Sequence, residues 1–179
     1  MIDVSRPDLT IGVIGVGAMG RGIAQIAAAA GLAVRLLDSR PNAASEARAD
    51  IMRTFDMLAG KGRMSRQAVA DAAERLQPVG GEHALADCHI VIEAIVEDLK
   101  TKQALFASLE PVVAPDCLLA TNTSSLSVTA IAARCKRPGR VGGFHFFNPV
   151  PLMKVVEVVE GALTEKWVGD ALTALARRV

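Results

Sequence analysis

The chain has 179 residues, a formal net charge of +1 and 51% hydrophobic residues. That length supplies one domain with a real core, and that apolar content excludes a disordered chain. The near-neutral charge and the 3% aromatic content give no basis for nucleic-acid binding, through bulk attraction or base stacking.

The first eight residues carry Asp3 and Asp8 and no long apolar run, so they read as neither a signal peptide nor a transit peptide. No window reaches the about 18 uninterrupted apolar residues that a membrane helix needs. A soluble cytoplasmic protein, with no membrane partner, is the expectation, and a processed organellar protein would look the same. Residues 10–15 form a short apolar strand, buried on both faces. A helix follows over 18–30 and stops at Gly31. A second strand over 32–37 ends at Asp38, which completes a β-α-β unit of the length a right-handed crossover requires.

Pro41 suits the first turn of a polar, alanine-rich helix reaching about Ala59, and Gly60-Lys61-Gly62 breaks it. Ser65 caps another helix to about Leu76. Two helices in succession predict an antiparallel hairpin over 41–77, inserted into the fold and standing off the sheet. Strands are then expected over 89–94, 117–120, 140–146 and 154–160, with helices over 98–110 and 127–134 between them. Thr164 is the expected cap of a terminal helix over 164–179. The alternation predicts an α/β fold: a Rossmann-type, doubly wound, mostly parallel sheet.

Gly15-Val16-Gly17-Ala18-Met19-Gly20 matches the dinucleotide pattern GxGxxG, between a strand and a helix, with an acid at the end of the next strand. Gly15 permits the tight turn, Gly17 lets the backbone approach a pyrophosphate, and Gly20 lets helix and strand pack closely. Ala18 and Met19 sit in the same turn and count among the cofactor contacts. The helix N-terminus offers free amides and a positive dipole to phosphates. Asp38 would accept hydrogen bonds from ribose hydroxyls and repel a 2′-phosphate, which selects NAD over NADP; Arg40 is near enough to temper that repulsion. Residues 1–179 are therefore expected to form one NAD-binding domain.

Gly143-Phe144-His145-Phe146-Phe147-Asn148-Pro149-Val150-Pro151 is mostly apolar, so it should be largely buried, yet it carries a histidine and an asparagine. Burying such groups without partners costs roughly 1–3 kcal/mol each, which marks the stretch as a candidate site of chemistry. Cys88, Cys117 and Cys135 form no CxxC pair and read as reduced structural thiols. His83 and His89 have no metal-ligand spacing, and no metal is expected.

These segments, with Gly22-Ile23-Ala24, Glu93-Ala94-Ile95-Val96-Glu97, Lys102, Thr121-Asn122-Thr123-Ser124-Ser125 and Val155-Val156-Glu157-Val158-Val159, resemble the N-terminal domain of the 3-hydroxyacyl-CoA dehydrogenases. The resemblance runs from about Thr10 to Gly161. It implies NAD-dependent, reversible oxidation of a 3-hydroxyacyl-CoA to the 3-oxoacyl-CoA, as in fatty-acid β-oxidation. It implies His145 as the general acid and base, with Glu157 orienting it. Ser124 would touch the substrate oxygen and the nicotinamide, and Asn148 would lie near cofactor and substrate. Glu97 and Lys102 would contact the NAD ribose and neighbouring groups, with Asn122 among the cofactor contacts. Lys61, helped by Arg63, would meet the anionic coenzyme A nucleotide. The chemistry itself asks for such a base, because oxidising a secondary alcohol requires removal of the hydroxyl proton, and imidazole with a carboxylate partner suits that task. Period-two alternation puts Glu157 on one face with Val155 and Val159, and a buried acid there needs a partner.

The family's helical C-terminal domain, which forms most of its dimer interface and closes the cleft, has no counterpart in these residues. Two alternatives stay open: an NAD-binding module inactive without such a domain, and a dehydrogenase of small hydroxy or sugar acids. A homodimer is expected of the full-length form.

Overall fold

The computed structural model describes residues 2–179. The first β-α-β unit consists of β1 (Thr10–Ile14), α1 (Ala18–Ala29) and β2 (Ala33–Leu37). α2 (Ala43–Gly60) and α3 (Arg66–Arg75) lead to β3 (Leu76–Pro78). A 3-10 turn at Glu82–Leu85 precedes β4 (Ile90–Glu93), α4 (Leu99–Leu109) and β5 (Leu118–Thr121). α5 (Val128–Ala132), β6 (Val141–Phe146), β7 (Val156–Val159) and α6 (Lys166–Arg178) complete the order.

One seven-stranded sheet runs β3-β2-β1-β4-β5-β6-β7. Neighbours from β3 to β6 are parallel, and only β7 is antiparallel, to β6. Strand residues alternate between two cores. Ile11 and Val13 of β1, Ile90 and Ile92 of β4, and Phe144 and Phe146 of β6 pack with Ile23 of α1, Ile51 and Phe55 of α2, and Leu172 of α6. Ile14, Val91, Leu119 and Val141 point the other way, onto Phe106 of α4 and Ile131 of α5. Each such buried side chain contributes roughly 1.5–3 kcal/mol, so helices are pinned to both faces. The chain winds outward from β1 to β3 and returns to β4 on the other side of β1. The carboxyl ends of β1 and β4 therefore flank the crevice where doubly wound sheets bind ligands.

Several local expectations need correction. The segment after α3 is a strand rather than the end of a helix: Leu76–Pro78 pairs with β2, and Pro78, which has no N–H to donate, suits an edge. Pro41 lies outside α2, whose N-cap is Asn42 with φ 64°. The hairpin does not stand off the sheet along its length. Ala43, Ala44, Ala47, Ile51, Phe55, Val69 and Ala72 are buried in the main core, whereas the outward faces of the two helices and the tip from Gly60 to Arg63 are exposed. Thr164 does not cap α6. Its hydroxyl accepts from the Gly161 amide (2.8 Å) and donates to the Val141 carbonyl (2.7 Å), and Glu165 is the N-cap, without a side-chain bond.

Candidate active site

The turn after β1 is built by two glycines. Gly15 has φ +83°, and a Cβ there would lie 2.6 Å from the Ala94 carbonyl oxygen. A Cβ on Gly20 would lie 1.7 Å from the Gly15 carbonyl oxygen, so only glycine lets α1 start this close to the turn. The Gly15 amide donates to the Leu37 carbonyl at 2.8 Å and the Val16 amide to Asp38 Oδ2 at 2.9 Å, tying the turn to the end of β2. Asp38 Oδ1 accepts from the Arg40 amide (2.9 Å) and guanidinium (3.2 Å). Burial pushes the Asp38 carboxyl up, but the bonds from Val16 and Arg40 outweigh it and hold the group below its ordinary value.

This turn fits a dinucleotide. Nothing stands within 4 Å of where a Gly17 Cβ would be, so the backbone is open to a ligand there. α1 starts with no side chain capping its first amides, which leaves donors for a pyrophosphate. Asp38 supplies a carboxylate at the end of β2, the position that suits ribose hydroxyls.

His145 and Glu157 are direct partners across the β6–β7 ladder, and Nδ1 lies 2.8 Å from Glu157 Oε2. The expected burial of this face is only half right. His145 is 17% exposed in its side chain, whereas Glu157 is 57% exposed, because β7 is an edge strand and Val155 and Val159 beside the acid face solvent. The surrounding stretch is likewise divided: Phe144 and Phe146 are buried, whereas Asn148, Pro149 and Pro151 are exposed. The Phe147 ring centroid lies 4.6 Å from that of His145. With Nδ1 engaged by the carboxylate, Nε2 has no bonded partner among the described residues.

His145 lines a cavity of about 340 Å³ together with Met19, Asn122, Ser124 and Asn148, and with Glu97 and Lys102 at its base. The structure thus brings seven of the expected site residues around one space beside the glycine turn. Asn122 Oδ1 accepts from the Phe146 amide at 2.9 Å, which ties the loop after β5 to β6 next to His145. The Asn148–Pro149 peptide bond is cis. Asn148 and Ala18 also line an adjoining cavity of about 500 Å³ between α1 and α2, where Asp50 pairs with both Arg21 and Arg53. Lys61 and Arg63 line neither cavity and sit in the open at the hairpin tip.

Lys102 and Glu97 form one ion-pair cluster with Glu93, although Glu97 keeps its outer side in solvent. Lys102 is fully buried on α4, with Nζ 2.5 Å from Glu93 Oε1 and 3.2 Å from Glu97 Oε2. Glu97 Oε1 accepts from the Thr123 hydroxyl (2.5 Å) and the Ser124 amide (3.0 Å). Burial pushes Glu97 up, but these bonds and the Lys102 ammonium hold its carboxyl below the usual range. Glu93 is a further residue of this cluster, beyond those the sequence points to. Its signal was an acid closing the apolar strand Ile90–Glu93, nine residues before a lysine. The Arg21–Asp50–Arg53 cluster was missed as well, because Arg21 and Asp50 lie on helices far apart in sequence.

Burial pushes the Cys88 and Cys117 thiols up to about 12 and Cys135 up to about 11, as structural thiols require. Among the described residues no cluster of side chains could hold a metal ion, and no helix is long and apolar enough to cross a membrane.

Residues 10–179 match the family model described as "3-hydroxyacyl-CoA dehydrogenase, NAD binding domain". A 3-hydroxyadipyl-CoA dehydrogenase of Escherichia coli K12 is 46% identical over 166 residues, which are 93% of this chain and 35% of that protein. A 3-hydroxybutyryl-CoA dehydrogenase of Clostridioides difficile is 39% identical over 96% of this chain and 61% of its own. The crystal structure of a 3-hydroxybutyryl-CoA dehydrogenase from Escherichia coli K12 superposes with a TM-score of 0.93 at 45% identity, over 96% of this chain and 36% of that one. The chain thus spans between about a third and three fifths of the length of these relatives.

Proposed function

The chain belongs to the 3-hydroxyacyl-CoA dehydrogenase family through its NAD-binding domain, and on that premise we propose that it carries out reversible oxidation of an (S)-3-hydroxyacyl-CoA to the 3-oxoacyl-CoA. The observation that carries this reading is the His145–Glu157 pair on the rim of a cavity beside the glycine turn. His145 Nε2 takes the proton of the 3-hydroxyl as the C3–H bond breaks and the carbonyl forms. Glu157 holds Nδ1–H, which fixes the tautomer and stabilises the imidazolium; in the reverse direction the imidazolium returns the proton. Ser124 and Asn148 orient the substrate oxygen.

Amides of the glycine turn and of the first turn of α1 hold the pyrophosphate of NAD, Asp38 its adenosine ribose, and Glu97, Lys102 and Asn122 the neighbourhood of the nicotinamide ribose. Bound NAD supplies the acceptor for the hydrogen and electron pair leaving C3. The named substrates of the relatives, 3-hydroxyadipyl-CoA and 3-hydroxybutyryl-CoA, support an acyl-CoA rather than a free hydroxy acid. Lys61 and Arg63 then meet the coenzyme A phosphates from the exposed hairpin tip. A homodimer belongs to the same proposal and rests on the resemblance.

A second reading is a module that binds NAD but turns over only when further protein covers the site. It draws support from the edge strand that carries the partner of His145, where Glu157, Val155 and Val159 are exposed. NADH consumption with acetoacetyl-CoA, beside NAD affinity, separates the two. His145→Ala lowering the rate by about 10²–10⁴-fold at unchanged NAD affinity supports the dehydrogenase. Equal rates for the two proteins refute His145 as the base. No rate with intact NAD binding favours the module.

A further inference from the structure

Glu93 lies at the carboxyl end of β4, fully buried, and takes three hydrogen bonds: from the Ile95 amide (2.7 Å), Lys102 Nζ (2.5 Å) and the Thr121 hydroxyl (2.7 Å). A buried ion pair of this kind is a poor device for stability alone, because apolar residues of similar volume usually serve as well or better. Its place suggests another use. The two oxygens of Glu97 are divided: Oε2 faces Lys102 at 3.2 Å, whereas Oε1 takes the Thr123 hydroxyl and the amide of Ser124. The Thr123 hydroxyl oxygen in turn accepts from the Leu126 amide at 3.0 Å. That one carboxylate oxygen is the acceptor of the Ser124 amide, while Asn122 anchors the start of the loop through its own bonds to Glu93 and Phe146.

The closer Glu93 contact draws the Lys102 ammonium away from Glu97. Without the charge on Glu93, Lys102 would have a single carboxylate to neutralise. It would pull Glu97 inward, and Oε1 would leave Ser124. We infer that Glu93, acting through Lys102 and Glu97, is a positioning residue that sets Ser124 beside His145 in the cavity both line. This inference rests on the proposed dehydrogenase reading for the role of Ser124, while the hydrogen-bond relay is independent of it. Thr121 belongs to the same device, since its hydroxyl donates to Glu93 and accepts from the Thr123 amide at 3.3 Å.

Glu93→Gln keeps the size of the side chain and removes its charge. In the folded variant the Ser124 amide resonance should shift, because it loses its carboxylate acceptor, and kcat should fall by about 10–100-fold with KM little changed. The double variant Glu93→Gln/Ser124→Ala should be no slower than Ser124→Ala alone, since both changes act on one group. An unmoved Ser124 resonance, or rate losses that simply multiply, overturns the inference. If Ser124→Ala and His145→Ala both leave the rate intact, the dehydrogenase reading fails instead, whatever the resonance does. Should Glu93→Gln not fold, Thr123→Val, which removes the hydroxyl bond from the loop to Glu97 together with the acceptor of the Leu126 amide, is held to the same three readouts.

Discussion

His145 and Glu157 stand opposite one another on the two antiparallel strands at the edge of the sheet, twelve residues apart in the chain and 2.8 Å apart between Nδ1 and Oε2. The ladder register makes the pair, and the 57% exposure of Glu157 limits what the pair contributes to stability. In the proposed reaction the pair acts on the imidazole, through its position and its charge.

Replacing Glu157 by Gln should therefore leave the thermal midpoint almost unchanged while lowering kcat. The imidazole keeps a neighbour of the same shape but loses the charge that stabilises its protonated form. We expect a loss of about 10–10²-fold, smaller than that of His145→Ala. Steady-state rates with acetoacetyl-CoA and a calorimetric scan check this together. A Glu157→Gln enzyme as fast as the parent would sink the assignment.

Gly20→Ala tests the close approach of α1 to β1. The added Cβ would fall 1.7 Å from a backbone oxygen that no side-chain rotation can move. Overpacking of this kind costs roughly 1–3 kcal/mol, which lowers the midpoint by several degrees in a domain of this size. NAD affinity should fall at least about tenfold, or about 1.4 kcal/mol, as α1 is displaced from the turn. Circular dichroism melts and a titration by calorimetry measure both, and Gly17→Ala, whose Cβ meets no protein atom, is the control for folding.

Stability should decline at both ends of the pH scale. Asp38 and Glu97 have lowered carboxyls, so the stability they supply is present above their unfolded values of 3.8 and 4.5 and is lost as pH falls through the folded ones. The thiols work in the opposite sense. Cys88, Cys117 and Cys135 are held protonated by burial, while an unfolded thiol ionises near 9.0, so stability drops as pH rises from there towards 12. Urea midpoints between pH 3 and pH 10 should trace this shape, and a thiol reagent at pH 8 should label no cysteine until denaturant is added. Labelling of the native chain would contradict the burial of all three.

Much of the fold was legible because its signals are local. A glycine turn between strand and helix, an acid closing the second strand, and the cap Ser65, accepting from the amide three residues on, are written within a few residues of where they act. β3 was not legible: three residues with a terminal proline carry no periodicity, and only pairing with β2 makes them a strand. Thr164 looked like a cap from its position, yet its hydroxyl found a carbonyl on β6 instead. Glu93 was visible as an acid on an apolar strand, but its partners Lys102 and Thr121 come from a helix and a neighbouring strand.

The alternation of elements, the doubly wound class and the residue types of the site follow from short stretches of chain, since hydrophobic period and glycine geometry act locally. Tertiary structure alone decided that β7 turns antiparallel at an edge, that Glu157 meets His145 half in solvent, and that a buried lysine lies between two acids beneath Ser124. Those relations depend on strand register and on burial, which arise only when segments distant in sequence are packed against one another.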